Sequence, residues 1–401
     1  MASIAILGFG VVGSGVAEVI TENLEIIEKR TNGELKIKYI LDLRDFPDSP
    51  FGDLVIHDFN TILNDPEVTI VAEMMGGSHP AYDFSIAALK AGKSVVTSNK
   101  EVVSKFGVEL LKVARENNVR YLFEASVGGG IPIIRPLTND LAANSIESVS
   151  GILNGTTNYI LTQMAENGTD FSEALKDAQA KGYAEANPTA DVDGIDAARK
   201  IVILASLAFG KLIDPDSIYA EGISKISVSD IEIAREFGCS IKLIGYCEDQ
   251  NGKIFAMVSP RLVPSNNPLY NVNDVFNGIL VDANMLGKSM FYGRGAGKLP
   301  TASAVVADII DIAKSSVNDP CYPAIESAVS ENIASIEDYK CKNMLIFDAK
   351  ADDAVLDAFN AVEAIVKDGK VAFITEELSE KELSDKLASL KDSPISRIRL
   401  I

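Results

Sequence analysis

The sequence predicts an α/β protein in which a doubly wound parallel sheet is followed by an α+β domain and a small α+β tail. Three observations predict this. An apolar strand runs into a glycine turn and a helix in "SIAILGFGVVGSGVAEVI". Short apolar runs then alternate with helical periods up to about residue 140, and beyond it the alternation becomes that of antiparallel strands. At 401 residues the chain has material for two or three compact units.

Taken in order, Ile4 to Leu7 reads as a buried strand, and Gly8, Gly10 and Gly13 follow in the order G-x-G-x-x-G, with Phe9, Val11 and Val12 between them. The glycines permit a tight turn, approach of a pyrophosphate to the backbone, and close packing of helix on strand. A strand before and a helix after favour a Rossmann-type dinucleotide turn over a plain glycine loop. A second strand, "KIKYILDL", ends near Asp42. The strands "VTIVAEMMGG", "SVVTSNK" and "RYLFEASVGGG" alternate with the helices "PAYDFSIAALKAG" and "FGVELLKVARENN". Ligands bind at the carboxyl ends of such strands, which here carry Gly76-Gly77-Ser78, Ser98-Asn99-Lys100 and Glu124-Ala125-Ser126. Lys100 in isolation is a surface lysine; beside a dinucleotide it is a cation facing substrate and nicotinamide.

From residue 145, "IESVSGILNGTTNYILTQM" reads as strand, turn and helix, and "ISKIS", "SIKLIGYCED" and "KIFAMVSPRLVP" as strands. "MFYGRGAGKLPTASAVVADIIDIAK" places a second glycine-rich turn at Gly293, Gly295 and Gly297 before an amphipathic helix capped by Thr301 or Ser303. Beyond residue 316 strands and helices alternate over a short tail. The expected division is a dinucleotide-binding domain over 1–140 completed by a helix at 301–315, a substrate and dimerisation domain over 141–300, and a tail over 316–401.

Composition excludes several functions. The formal charge of -20 opposes phosphate backbones and anionic membranes, so nucleic acid is not an expected partner. No apolar run reaches the roughly 20 residues of a membrane span. The N-terminus lacks the basic start of a secretory leader, and a cytoplasmic location is expected. Cys239, Cys247, Cys321 and Cys341 form no C-x-x-C pair and read as buried or incidental thiols. With His57 and His79 the only histidines, a Ser-His-Asp machine or a His-ligated metal is hard to build. Proton transfer falls to lysine and carboxylates.

The stretch "EANPTADVDGIDAARK" supplies them, with Glu185, Asp191, Asp193 and Asp196 ahead of the apolar "IVILASLAF". A helix starting at Val192 or Asp193 sets Asp196 and Lys200 at i and i+4, within ion-pair reach. A surface pair contributes only about 0.2–1 kcal/mol, so stability explains little. A partly desolvated lysine braced by a carboxylate can protonate a developing alkoxide or orient the water that does. Glu185 and Asp191 are then available to grip an ammonium and a hydroxyl, which predicts a small amino-bearing substrate.

The blocks "GFGVVGSG", "TSNKEVVSKFG", "FEASVGGGIPI", "GILNGTTNYIL", "KGYAEANPTADVDGIDAARK" and "GRGAGKLPTA" together resemble homoserine dehydrogenase, in that family's order from residue 4 to about 315. The resemblance implies NAD(P)-dependent interconversion of L-aspartate 4-semialdehyde and L-homoserine in threonine and methionine biosynthesis. It implies that Lys200 is the proton donor, that Asp196 supports it or binds substrate, and that Lys100 lies beside substrate and nicotinamide. By the same resemblance Gly155, Thr156, Gly182, Glu185 and Asp191 contact substrate, and Gly297 lies near the nicotinamide. A monovalent cation, usually sodium, is implied on backbone carbonyls of Glu124, Val127, Gly129 and Ile131. The family is typically a homodimer or homotetramer.

Two features depart from the pattern. NADP-preferring members tend to carry basic residues after the second strand; "ILDLRD" offers Asp42 for the 2'-hydroxyl of NAD, while Arg44 leaves NADP open. Charge leans toward NAD. The tail resembles the family's ACT domain but is short, and its junction "DAKADDAVLDAF" is acidic and lacks the usual glycine. Two other readings compete. A phosphorylating semialdehyde oxidoreductase needs a cysteine nucleophile with a histidine base, and no histidine follows residue 79. A nicotinamide-sensing regulatory protein without turnover has no need of a proton donor such as Lys200.

Overall fold

The computed structural model describes residues 2–31, 33, 35–314, 322–348, 354–359, 361 and 364–401. Cys321 and residues 349–353 of the acidic tail junction lie outside the described residues. The chain forms two compact units. The first comprises Met1–Ser145, Val202–Pro215 and Gly293–Ala328, and the second Ile146–Ile201, Asp216–Tyr292 and Val329–Ile401.

The first unit is built on six parallel strands, β1 (Ala2–Leu7), β2 (Leu35–Leu41), β3 (Val55–Ile56), β4 (Val68–Glu73), β5 (Ser94–Thr97) and β6 (Tyr121–Leu122), in the order β3-β2-β1-β4-β5-β6. This is the doubly wound α/β sheet expected, with order reversing between β1 and β4. Ile4, Ala5, Ile6 and Leu7 are fully buried because helices cover both faces of a parallel sheet, which is why the strand reads as a continuous apolar run. The helix Val11–Glu22 follows β1, and a Cβ at Gly15 in it would stand 2.9 Å from Lys298 Cγ and 3.1 Å from Ala302 Cβ. Glycine there lets the helix Lys298–Lys314 pack closely against it.

That helix differs from the expectation in its start. Thr301 and Ser303 lie inside it and are not its caps. Pro300 needs no N–H partner in a first turn, so the helix begins at Lys298, immediately after Gly297 at φ +116°.

The second unit contains a ten-stranded mixed sheet of β7 (Ile146–Ile152), β8 (Tyr219–Ala220), β9 (Cys239–Gln250), β10 (Lys253–Pro264), β11 (Phe276–Ala283), β12 (Gly287–Arg294), β13 (Asn343–Asp348), β14 (Ala364–Lys367), β15 (Lys370–Ile374) and β16 (Ser396–Leu400). Its order is β12-β11-β7-β9-β10-β16-β13-β15-β14, with β8 also on β10. The long hairpin β9–β10 pairs from Cys239 with Pro264 to Gln250 with Lys253. The tail strands extend this sheet: β16 joins β10 in parallel through Arg261–Arg399 and Leu262–Leu400, and β13 antiparallel. Leu345, Phe347, Val355, Phe359, Phe373 and Leu383 form the tail's own apolar cluster.

Among the described residues no helix is long and apolar enough to cross a membrane. Cys239, Cys247 and Cys341 are buried free thiols, as expected.

Candidate active site

In the first unit, Gly8 takes φ +87°, and a Cβ there would meet Met75 Cγ at 3.0 Å and Met74 O at 3.1 Å. A Cβ on Gly13 would stand 1.9 Å from Gly8 O, so only glycine lets the helix begin this close to the strand. At Gly10, by contrast, a Cβ would meet nothing within 4 Å. Closed on the sheet side and open at Gly10, the turn has the space that an approaching pyrophosphate requires.

A cavity of about 500 Å³ adjoins it, lined by Gly8, Gly10, Asp42, Arg44, Met74, Met75 and Gly76. Phe59 and Phe84 also line it and stack with ring centroids 4.3 Å apart, giving it an apolar aromatic wall. Asp42 ends β2 here. Its Oδ2 accepts from Phe9 N at 2.8 Å and Arg44 Nη2 at 3.1 Å, and its Oδ1 from Arg44 N and Nε, both at 3.0 Å. The Arg44 guanidinium, with these backbone donors, holds the carboxyl down at about 2 against the opposing effect of burial. His57 Nδ1 lies 2.7 Å from Asp42 O. These residues fit a dinucleotide.

Lys100 opens the helix Lys100–Glu116, whose N-cap Asn99 accepts from Glu101 N and Val102 N. Asn99 Nδ2 donates to Met75 O at 3.2 Å and Gly77 O at 2.8 Å, tying the Gly76-Gly77 loop to the start of that helix. Glu73, at the end of β4, accepts from Met75 N at 2.6 Å and from Thr97 Oγ1 at 2.6 Å. Sequence reasoning missed it, although an acid closing the apolar strand "VTIVAE" is a signal in itself.

The acidic segment belongs to the second unit. Its helix runs Ile195–Phe209 and starts later than Val192 or Asp193. A short helix, Thr189–Val192, comes first with Asp193 as its C-cap, and Gly194 at φ +82° makes the turn between the two. Asp193 therefore ends the short helix rather than starting the buried one. Asp196 and Lys200 keep their i, i+4 relation and are 4% and 8% exposed, so the pair is a buried one. Lys200 Nζ donates to Asp196 Oδ2 at 2.8 Å and to Leu153 O at 2.7 Å.

Asn154 completes the cluster and was not singled out from sequence. Its Nδ2 donates to Asp191 Oδ1 at 2.7 Å and to Asp196 Oδ2 at 2.9 Å, and its Oδ1 caps the helix Gly155–Asn167 by accepting from Thr157 N at 2.9 Å. The available signal was an N-cap asparagine in "ILNGTT". Thr156 Oγ1 donates to Tyr183 O at 2.6 Å, bringing the Gly155-Thr156 turn to the Gly182 loop, where Gly182 takes φ +75°. Glu185 is exposed, and its carbonyl accepts from Gln179 Nε2 at 3.0 Å. The predicted substrate residues Gly155, Thr156, Gly182 and Asp191 are thus joined to Asp196 and Lys200 within the second unit, while Lys100, the Gly8 turn and Gly297 belong to the first.

The Glu124–Ile131 segment is sharply turned. Glu124, 2% exposed, accepts through Oε1 from Ile133 N at 2.7 Å and Ile134 N at 2.8 Å, and through Oε2 from Arg135 N at 2.8 Å. Gly129 takes φ +56°, and a Cβ on it would press to 2.3 Å from Gly295 O. With the Glu124 carboxylate engaged by backbone N–H groups, the oxygens left for a cation here are carbonyls, a donor set suited to a monovalent ion. Among the described residues no group of three or more His, Cys, Asp or Glu could hold a metal.

Two family models match the chain: "Homoserine dehydrogenase, NAD binding domain" over residues 8–124 and "Homoserine dehydrogenase" over residues 132–310. A homoserine dehydrogenase of Neisseria gonorrhoeae is 37% identical over 99% of this chain and 98% of its own length. The chain belongs to the homoserine dehydrogenase family. The crystal structure of a homoserine dehydrogenase from Thiobacillus denitrificans superposes with TM-score 0.91 at 34% identity, covering 100% of this chain and 98% of the other. A hyperthermophilic archaeal homoserine dehydrogenase in complex with NADPH superposes with TM-score 0.66 at 29% identity over 78% of this chain and 97% of its own. The NAD-binding family model spans the Gly8–Gly13 turn, and the chain accordingly carries a nicotinamide-dinucleotide-binding domain of the homoserine dehydrogenase type.

Proposed function

We propose that the protein reduces L-aspartate 4-semialdehyde reversibly to L-homoserine, with Lys200 handling the proton. The observation that carries this is the buried Asn154–Asp196–Lys200 cluster, with Asp191 on the same amide. The dihydronicotinamide, when bound, supplies the hydride. Lys200 delivers a proton to the carbonyl oxygen as its charge develops, directly or through one water, and Asp196 keeps the ammonium oriented. Asp191 and Glu185 hold the substrate's α-ammonium; Gly155, Thr156 and Gly182 shape the backbone around its carboxylate. Lys100 is assigned to substrate and nicotinamide by the family resemblance. Gly297, at φ +116°, lets the chain pass the nicotinamide without a side chain.

Asp42 favours NAD over NADP: a carboxylate already fixed by Phe9 N suits a ribose 2'-hydroxyl and repels a 2'-phosphate, and Arg44 is engaged on Asp42 itself. Carbonyls of Glu124, Val127, Gly129 and Ile131 take a monovalent cation, sodium by preference. A homodimer or homotetramer, a cytoplasmic setting and an ACT-like tail that keeps an assembly role complete the proposal.

Oxidation of NADH and of NADPH is measured with aspartate semialdehyde as substrate. Turnover with either supports the activity, and none with both removes it. Lys200→Ala lowers kcat by about 10²–10⁴ with the fold intact; a near-normal rate removes Lys200 from the mechanism. Replacing sodium by choline at constant ionic strength lowers activity; an unchanged rate removes the cation from the proposal.

A further inference from the structure

We propose that Arg399, in the C-terminal strand, is a positioning residue for the substrate-gripping segment around Asp191, acting through Glu221. The inference rests on the substrate role given to Asp191 above. Arg399 has a side chain only 4% exposed, and its guanidinium is shared between two acids. It donates from Nε and Nη2 to the two oxygens of Glu380 at 2.9 and 3.1 Å, and from Nη1 to Glu221 Oε2 at 2.8 Å. The Tyr219 ring lies 4.9 Å from the guanidinium carbon, and its hydroxyl donates to the same Glu221 oxygen at 3.0 Å. Sheet topology explains the meeting: β8 and β16 both run parallel to β10, pairing from Met257–Val258 and from Arg261–Leu262 respectively.

Glu221 leads straight to the site. Its N–H donates to Val258 O at 2.9 Å, and two residues on Ile223 N donates to Val192 O at 2.9 Å. Between them a Cβ on Gly222 would stand 2.1 Å from Val192 O and 2.6 Å from Asp193 Cα, so backbone lies against backbone with no side chain to yield. Asp191 immediately precedes this contact, and its carboxylate is the one Asn154 holds at 2.7 Å. A shift of the 219–223 strip therefore moves the Asp191 carbon chain relative to Asn154 and Asp196. A mostly buried guanidinium forked between two carboxylates is a rigid anchor for that strip. The tail thereby sets substrate affinity without touching substrate.

The test is steady-state kinetics of homoserine oxidation by the full-length protein, with homoserine and cofactor varied separately. Glu221→Gln keeps the side chain's shape at a position 34% exposed and removes its charge. It raises KM for homoserine about tenfold while kcat and the cofactor KM stay within about twofold. Arg399→Ala does the same, and Arg399→Lys restores part of the affinity because one ammonium cannot grip both acids. The two changes combine non-additively in a double-mutant cycle. If Arg399→Ala does not fold, Glu221→Gln decides alone. An unaltered homoserine KM in folded Glu221→Gln overturns the inference, as does an equal rise in the cofactor KM. Failure of the proposed activity looks different, since the unaltered protein would then turn over neither homoserine nor semialdehyde.

Discussion

Asn154 does two jobs with one side chain, and the two can be separated. Its oxygen caps a helix, and its nitrogen lies between the carboxylates of Asp191 and Asp196. Asn154→Ala loses both and is expected to cost about 0.5–2 kcal/mol of stability from the cap alone, with kcat/KM falling about a hundredfold. Asn154→Ser restores a good cap but no bridging amide, so thermal unfolding returns toward normal while kcat/KM stays low; recovery of both together would mean the amide bridge is unimportant. Asp42 is a second such residue. Asp42→Ala frees Arg44, so fluorescence titration is expected to show NAD weakened about tenfold and NADP unchanged or tightened. Equal weakening of both defeats the ribose assignment.

At the level of elements, the ends of β4 and β5 and the start of the Lys100–Glu116 helix are laced together by Glu73, Thr97 and Asn99. Burial pushes the Glu73 carboxyl up to about 7, against the pull of the Thr97 hydroxyl and Met75 N–H. Its ordinary value is 4.5, so between those two pH values the folded protein holds a proton that the unfolded chain has released. Stability from this group is therefore greatest below pH 4.5, falls as pH rises toward 7, and is fully lost above it, a swing of about 3 kcal/mol. Asp308, buried beside Arg135, is likewise raised to about 7 and acts in the same direction. Glu73→Gln is expected to flatten the decline in melting temperature between pH 5 and 8 in part, leaving the share due to Asp308. A pH profile parallel to that of the unaltered protein would show that Glu73 does not titrate there.

For the molecule as a whole, a formal charge of -20 stores self-repulsion that salt relieves. The melting temperature is expected to climb by several degrees between about 10 and 200 mM choline chloride, where the Debye length drops from about 30 Å to below 10 Å. A further rise on replacing choline by sodium at equal strength isolates specific cation binding from screening. Removing Ser396–Ile401 tests the extended sheet, since β16 is the strand that joins β10 to β13. Its loss leaves β13 with an unpaired edge and β10 with only the short β8 on that side, and scattering and unfolding are expected to report association and a lower melting temperature.

Much of the first unit was legible because its signals are local. A continuous apolar strand, three glycines at fixed spacing and an acid at the end of the next strand each constrain neighbouring backbone, and Gly8, Gly13 and Asp42 stand where that logic puts them. Asp196 and Lys200 were readable for the same reason, as helical periodicity alone sets them on one face. The start of their helix was not: Gly194 can adopt φ +82° and end one helix before the next, and an acid-rich run gives no sign of that break. The cap expected at Thr301 or Ser303 failed because Pro300 fits a first turn as readily as it ends a helix. Only tertiary structure decided that Asn154 lies between two acids 37 and 42 residues away, or that Arg399 reaches Glu221 across 178. Such pairings depend on which strands share an edge, and strand order is set by the summed burial of whole elements, a quantity no short stretch of sequence contains.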